Sequence, residues 1–336
     1  MQKINNMSAI NNNKKNIVIT GIQPTGRPHI GNYFGAMKPI VDLQDMHDEI
    51  YIFVADYHAL TTINDKEKLQ RYINNLILDY LAVGVDPEKI CLYRQSDIPA
   101  LTELTWIFSN LVTVPWLERA HAFKDKVQQG KEAGVGLFNY PILMAADILL
   151  PKATLVPVGK DQIQHIEMTR EIARKFNTQY ADIFPEPQEQ ISESVMIVPG
   201  TDGQKMSKSY NNTIPLFGTE SEIKKAVMGI VTDSKGKDEP KDPDTCNVFA
   251  LHTLISSPEY CAELRTAYIE GTIGYGDAKK QLLANFNEMT QEMREKRAYY
   301  EDNPGLVRQV LDQGARVMQK KAQSVMSEVY HSIGLA

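Results

Sequence analysis

Ile17-Val-Ile-Thr-Gly-Ile-Gln-Pro-Thr-Gly-Arg-Pro-His-Ile-Gly-Asn-Tyr-Phe-Gly-Ala-Met37 runs from a β-branched strand signal through a Gly/Pro loop into a helix. Backbone N–H groups at a helix start of this kind attract phosphate. Gly21-x4-Gly26 has the outline of a Walker A loop. Arg27 and Pro28, however, stand where that loop requires its lysine and its Mg2+-binding hydroxyl, so a P-loop NTPase is not expected. G-x-G-x-x-G is absent, which removes the strongest cue for a dinucleotide dehydrogenase. Pro28 suits a first helical turn. His29 and Asn32, three apart, share one helical face, and the small Gly31 between them permits close approach by a flat ligand. The same four residues also read as a turn with a capping asparagine and a satisfied surface histidine.

Outward from this passage, short β-branched runs at 17–20, 50–54, 90–93, 154–158 and 195–198 read as strands. Between them Leu69, Tyr72, Ile73, Leu76, Ile77, Tyr80 and Leu81 recur at helical spacing and stop at Gly84, a left-handed cap before Asp86-Pro87. Strand and helix in alternation imply right-handed crossovers, and ligands on such sheets sit at the carboxyl ends of the strands. The fold class expected is α/β, a Rossmann-like parallel sheet with helices on both faces, followed by a C-terminal all-helical domain. After about residue 210 only helical patterns remain, near 219–231, 247–255, 258–269, 275–300 and 305–333, interrupted by a charged, proline-bearing loop at 234–244. The expected organisation is a tail at 1–15 without apolar periodicity, a nucleotide-binding domain over 16–210 and a helical domain over 211–304. The final helix packs back on the nucleotide-binding part. Residues 126–136, with three glycines among charged and amide side chains, read as a mobile loop.

With 36 Lys and Arg against 42 Asp and Glu, the chain has no global attraction for polyanions or membranes, so neither DNA nor a membrane is an expected partner. An RNA partner needs a local basic surface. Between Arg294 and Lys321 basic residues outnumber acids, with Tyr299 and Tyr300 interleaved, although solvated helix faces give the same pattern. Cys91, Cys246 and Cys261 are odd in number and lack C-x-x-C spacing, so no disulfide framework and no protein-held metal site is suggested; a reducing cytoplasm fits. The apolar run after the asparagine-rich start is too short for a signal peptide, and no stretch approaches the roughly 20 apolar residues that span a bilayer.

Gly200-Thr-Asp-Gly-Gln-Lys-Met-Ser-Lys-Ser209 places Lys205 and Lys208 in a glycine-rich loop after the last strand signal. Alone, they read as solvated lysines. Together with His29-Ile-Gly-Asn32, Lys205-Met-Ser-Lys-Ser209 resembles the two signatures of class I aminoacyl-tRNA synthetases. The likeness extends over 17–335 and is to the bacterial tryptophanyl-tRNA synthetase family. It is carried by Gly21-Ile-Gln-Pro-Thr-Gly26, Gly31-Asn-Tyr33, Ala55-Asp-Tyr-His-Ala-Leu-Thr61, Phe123-Lys-Asp-Lys126, Tyr140-Pro-Ile-Leu-Met-Ala-Ala-Asp-Ile-Leu-Leu150 and Val156-Pro-Val-Gly-Lys-Asp-Gln162. Tyr57, where many members carry glutamine, and Ala120-His121 depart from the pattern and bear on packing near the substrate.

The resemblance implies that L-tryptophan and ATP give tryptophanyl-adenylate and pyrophosphate, and that the acyl group then passes to the terminal ribose of tRNA(Trp). It also implies a homodimer whose helical domain contacts the anticodon. Such a reaction needs no covalent nucleophile, so positioning and preorganised cations carry it. By the likeness Lys205 and Lys208 would grip the pyrophosphate, Lys126 would reach in from its loop, and His29 and Asn32 would line the nucleotide. Gln23, Pro24, Thr25, Gly31, Gly159, Lys160, Asp161, Met196, Met206, Ser207 and Ser209 would hold the rest of ATP, with Mg2+ shared by the phosphates. Asp147 would take the indole N–H beside Met144. His58, Tyr140 and Gln162 would make polar contacts to tryptophan, and Val156 and Val158 would wall the pocket. Plainer readings stand beside these: Asp161 as a helix cap, Asp147 paired with a lysine, Lys126 as a solvated loop residue. An aspartate can also recognise a hydroxyl, which keeps a tyrosine-specific enzyme open, although tyrosine enzymes usually carry a tyrosine in the first strand and 17–20 has none. A shorter nucleotidyltransferase type and a catalytically silent RNA-binding paralogue are the remaining alternatives.

Overall fold

The computed structural model describes residues 16–120, 134–191 and 198–336. The expected tail, Lys126, most of the glycine-rich loop and Met196 lie outside the described residues. Five parallel strands form one sheet in the order β3-β2-β1-β4-β5, with β1 at Ile17–Ile22, β2 at Glu49–Val54, β3 at Cys91–Arg94, β4 at Leu155–Val158 and β5 at Gln188–Ile191. The strand expected at 195–198 falls largely outside the described residues, and the fifth strand is the earlier Gln188–Ile191, which the sequence reading missed. An edge strand needs no continuous apolar run, because only one of its sides is covered by a neighbour.

Side-chain alternation divides the sheet between two apolar layers. Val18, Ile50, Ile52, Val54 and Leu92 face one layer, and Ile19, Tyr51, Phe53 and Tyr93 face the other. The first layer is completed by helical residues 30–43 and by the helix Lys66–Ala82, which Asp65 caps by accepting from the N–H of Lys68 at 2.8 Å. Gly84, at φ +110°, ends that helix as the sequence suggested. The second layer holds the helices Ala100–Ser109, Val135–Leu149 and Ile163–Gln179.

Beyond residue 219 the described chain is helical: Glu220–Met228, Asn247–Ile255, Pro258–Glu270 and Tyr275–Asp302 share the first apolar layer through Ile223, Phe249, Tyr268 and Phe286. Pro304–Ile333 then lies along β3, where Cys91 Sγ donates to Gly314 O and Gln319 Nε2 donates to Asp97 O at 2.8 Å. No helix among the described residues is long and apolar enough to cross a membrane.

One feature of the sheet positions the site. β1 and β2 pair along six residues, whereas β1 and β4 pair only at Val18↔Leu155. Beyond that pair the two strands separate toward their carboxyl ends. This is the switch point of the strand order, where an open parallel sheet leaves a crevice.

Candidate active site

The crevice between β1 and β4 is a cavity of about 430 Å3 lined by Thr20 to Gln23 on one side and Val156 to Gly159 on the other. Tyr140, Met144 and Asp147 enter it from the helix Val135–Leu149, at spacings of four and three that set them on one face. His58 and Gln162 complete the wall. Nine of the residues singled out in the sequence thus share one space: Gln23, His58, Tyr140, Met144, Asp147, Val156, Val158, Gly159 and Gln162.

Asp147 is 1 % exposed and is not paired with a lysine. Its Oδ2 lies 2.9 Å from His58 Nε2, and Gln95 Nε2 donates to Oδ1 and Oδ2 at 2.8 and 2.9 Å. Burial pushes the Asp147 carboxyl above the ordinary aspartate range, and the hydrogen bonds from His58 and Gln95 pull it back. Toward the start of the helix that carries Asp147, Tyr140 Oη meets His165 Nε2, and His165 Nδ1 lies 2.9 Å from Gln162 Oε1. Gln162 Nε2 in turn donates to Asp161 Oδ2 at 2.8 Å. The side chain of Asp161 therefore holds Gln162; it does not cap the helix, whose N-cap is Gln162 without a side-chain cap bond.

Gln95 and His165 were not foreseen. Gln95 follows directly on β3, at the strand end where site residues gather. His165 stands three residues after Gln162 on one helix, a spacing that places the two together.

The His29 loop and the lysine loop are joined by backbone. Ile30 N–H donates to Ile214 O and Leu216 N–H donates to Pro28 O, both at 3.0 Å, with a bridge at His29↔Pro215. His29, not Asn32, is the helix cap, and Pro28 stands before the first turn: Asn32 N–H donates to His29 Nδ1 at 3.3 Å, and His29 N–H donates back to Asn32 Oδ1 at 3.1 Å. Gly31 makes room for this cap, since a Cβ there would stand 2.9 Å from His29 Nδ1. Burial, with the nearby charge of Lys208, lowers the His29 pKa to about 4. The ring is neutral near pH 7 with Nδ1 occupied as acceptor, which leaves Nε2–H as its donor.

Lys208 Nζ donates to Thr25 O at 3.0 Å and Gly26 O at 3.2 Å, so its ammonium rests on the first glycine loop. Partial desolvation lowers its pKa, with Asp79 opposing. Met206 is turned into the core, and Ser207 caps the turn Lys208–Tyr210 by accepting from Ser209 N–H. Buried Asn212 braces the loop, accepting from Ser207 N–H at 2.8 Å and donating to Asp202 Oδ1 at 2.7 Å. Lys205, Thr25 and Gln23 are exposed, Asn32 is half-buried and Pro24 is buried. Lys160 opens the turn Lys160–Gln162, and its side chain is outside the described set.

A switch-point crevice with these two joined loops defines a nucleotide-using enzyme of the class I synthetase type, and residues 11–291 match the family model described as tRNA synthetases class I (W and Y). The chain belongs to that family. Within it, the chain is 50% identical over 311 residues to the tryptophan–tRNA ligase of Fusobacterium nucleatum, covering 92% of this chain and 94% of that one. It is 45% identical over 318 residues to that of Campylobacter jejuni, covering 95% and 99%. The crystal structure of tryptophanyl-tRNA synthetase from Campylobacter jejuni complexed with ADP and tryptophan superposes with a TM-score of 0.91 at 45% identity, covering 95% of this chain and 99% of that one.

Proposed function

We propose that this enzyme is a tryptophan–tRNA ligase that activates L-tryptophan with MgATP, releases pyrophosphate and passes the acyl group to the terminal ribose of tRNA(Trp). The observation that carries this reading is Asp147, a buried carboxylate held as an acceptor on the wall of the cavity between β1 and β4. Indole has one polar atom, and it is a donor. Met144 beside Asp147 supplies a soft, polarizable contact for the ring. Tyr140 and Gln162, fixed by His165, face the same space with polar atoms for the amino-acid end.

ATP lies along the loops that flank the cavity. Neutral His29 offers its Nε2–H to phosphate oxygen. Lys208 leaves the carbonyls of Thr25 and Gly26 for the polyphosphate, joined by Lys205 and, on the likeness to the family, Lys126. Charge on the departing pyrophosphate meets these cations, and loss of one such donor typically costs on the order of 10²–10³ in rate. Mg2+ arrives on the phosphates and is part of the substrate. Gly159, Asp161 and the backbone at 206–209 hold the rest of the nucleotide. The helical region reads the tRNA, two chains form the working unit, and the enzyme acts in the cytoplasm.

Exchange of labelled pyrophosphate into ATP, run with each of the twenty amino acids, tests the reading. Tryptophan alone supports exchange, and Asp147→Ala abolishes it while the circular dichroism spectrum is kept. Exchange driven by tyrosine, or undiminished in Asp147→Ala, overturns it.

A further inference from the structure

Gln95 is fully buried, in the turn that leaves β3, and every polar atom of its side chain is spent. Oε1 accepts from the backbone N–H groups of Tyr57 at 3.1 Å and His58 at 3.4 Å. Nε2 spans the two oxygens of Asp147. The amide has one possible orientation. Reversed, it would set an NH2 group against two N–H donors and a carbonyl against a carboxylate, leaving buried groups unpaired on both sides.

This geometry constrains Asp147. Both of its oxygens face a donor from Gln95, and Oδ2 faces His58 as well. Protonating Oδ1 would set an O–H against the Gln95 donor; only Oδ2, toward His58 Nε2 in its acceptor tautomer, offers the proton a partner. We propose that Gln95 is a positioning residue for amino-acid selection: it holds Asp147 ionised and fixed in plane, so that the pocket accepts a ligand N–H and disfavours an isostere without one. Burial favours the neutral acid, while hydrogen bonds to the charged form favour the carboxylate. Gln95 supplies the second effect from behind the pocket. The inference rests on the reading of Asp147 as the indole partner.

Two substitutions separate this role from simple packing. Gln95→Met keeps length and bulk but removes both functions of the amide. Gln95→Glu keeps an acceptor for the N–H groups of Tyr57 and His58 but turns an oxygen toward Asp147, so the two carboxyls must share a proton. Pyrophosphate exchange is measured between pH 5.5 and 8.5 with L-tryptophan and with 3-benzothienyl-L-alanine, whose sulfur replaces the indole N–H.

In Gln95→Met the KM for tryptophan rises by about 10-fold or more near neutral pH, the size expected when a charge-assisted hydrogen bond is lost, and the change falls on KM rather than kcat. That KM declines as pH rises and Asp147 ionises. In Gln95→Glu the slope is reversed, because the shared proton is lost at high pH. The preference for tryptophan over the sulfur analogue shrinks in both variants. KM values independent of pH in both, or raised equally for the two amino acids, overturn the proposal. If Gln95→Met does not fold, the reversed slope and reduced preference in Gln95→Glu decide. A wild-type chain inactive with tryptophan, or an active Asp147→Ala, would instead defeat the functional reading itself.

Discussion

His29 joins local structure to the chemistry proposed for it. Its Nδ1 is the helix cap, and that role requires an unprotonated ring. The fold enforces this by burying the imidazole near Lys208, which lowers its pKa from 6.5 to about 4. A histidine of this kind binds its proton less readily when folded than when unfolded. The stability it contributes is intact above about pH 6.5 and is lost as pH falls toward 4. His29→Asn keeps a capping acceptor, since asparagine is a preferred N-cap, but cannot titrate. The variant should therefore lose less stability than the native chain between pH 6.5 and 4.5, measured by urea unfolding at each pH, while losing pyrophosphate-exchange rate at pH 7.5. Parallel pH curves for the two proteins would show that the ring is not desolvated as described.

Between elements, a largely buried polar link joins the helix Tyr275–Asp302 to the helix Lys66–Ala82. Arg297 Nε donates to Asp79 Oδ1 at 2.8 Å and its Nη2 to Asn75 Oδ1 at 3.1 Å, while the guanidinium stands 5.5 Å from the centre of the Phe217 ring. Phe217 follows residues 214–216, which pair with the His29 loop, so this arginine also touches the segment that leads from that loop's partner into the helical region. Burial pushes the Asp79 carboxyl up to about 6 despite its partner. Removing the partner alone strands a buried charge, so Arg297→Met should cost about 3 kcal/mol at pH 7.5. Adding Asp79→Leu should recover most of it, and the single variant's deficit should narrow at pH 5.5, where the stranded carboxyl takes up a proton. Urea midpoints for the two variants check this. Links of this kind are illegible in sequence, because Asp79 and Arg297 each read as one more charge on a helix. The runs at 17–20 and 50–54 were legible as strands because both faces of a central parallel strand are apolar. Gln188–Ile191 was not, because an edge strand can be polar. In the same way Asp147 stood out as an acid in an apolar run, while Gln95, an uncharged amide after a strand, gave no sign of its partner.

At the scale of the whole molecule, large exposed apolar side chains are spread along the described chain, and three of them stand at or next to one cavity. A second cavity, of about 570 Å3, is lined by Leu60, Thr102, Thr105, Gly134 and Gly136 and shares His58 and Tyr140 with the cavity between β1 and β4. Beside it in sequence stand Trp106 and Val135, 71 % and 73 % exposed, and Leu60 itself is 54 % exposed. Large apolar side chains left in water around one cavity are what an association surface would present, and a second copy of this chain is the occupant that the proposed homodimer requires. Tryptophan is a residue type on which binding energy concentrates at such surfaces, at about 2 kcal/mol or more. Trp106→Glu should therefore raise the dimer dissociation constant by about 30-fold or more, read by sedimentation velocity across a dilution series. His58 and Tyr140 stand in both cavities, so the same variant should also raise KM for tryptophan at low enzyme concentration, and excess enzyme should correct it as dimers re-form. A native chain that sediments as a monomer at micromolar concentration, or a Trp106→Glu chain that dimerises as before, would place the association surface elsewhere.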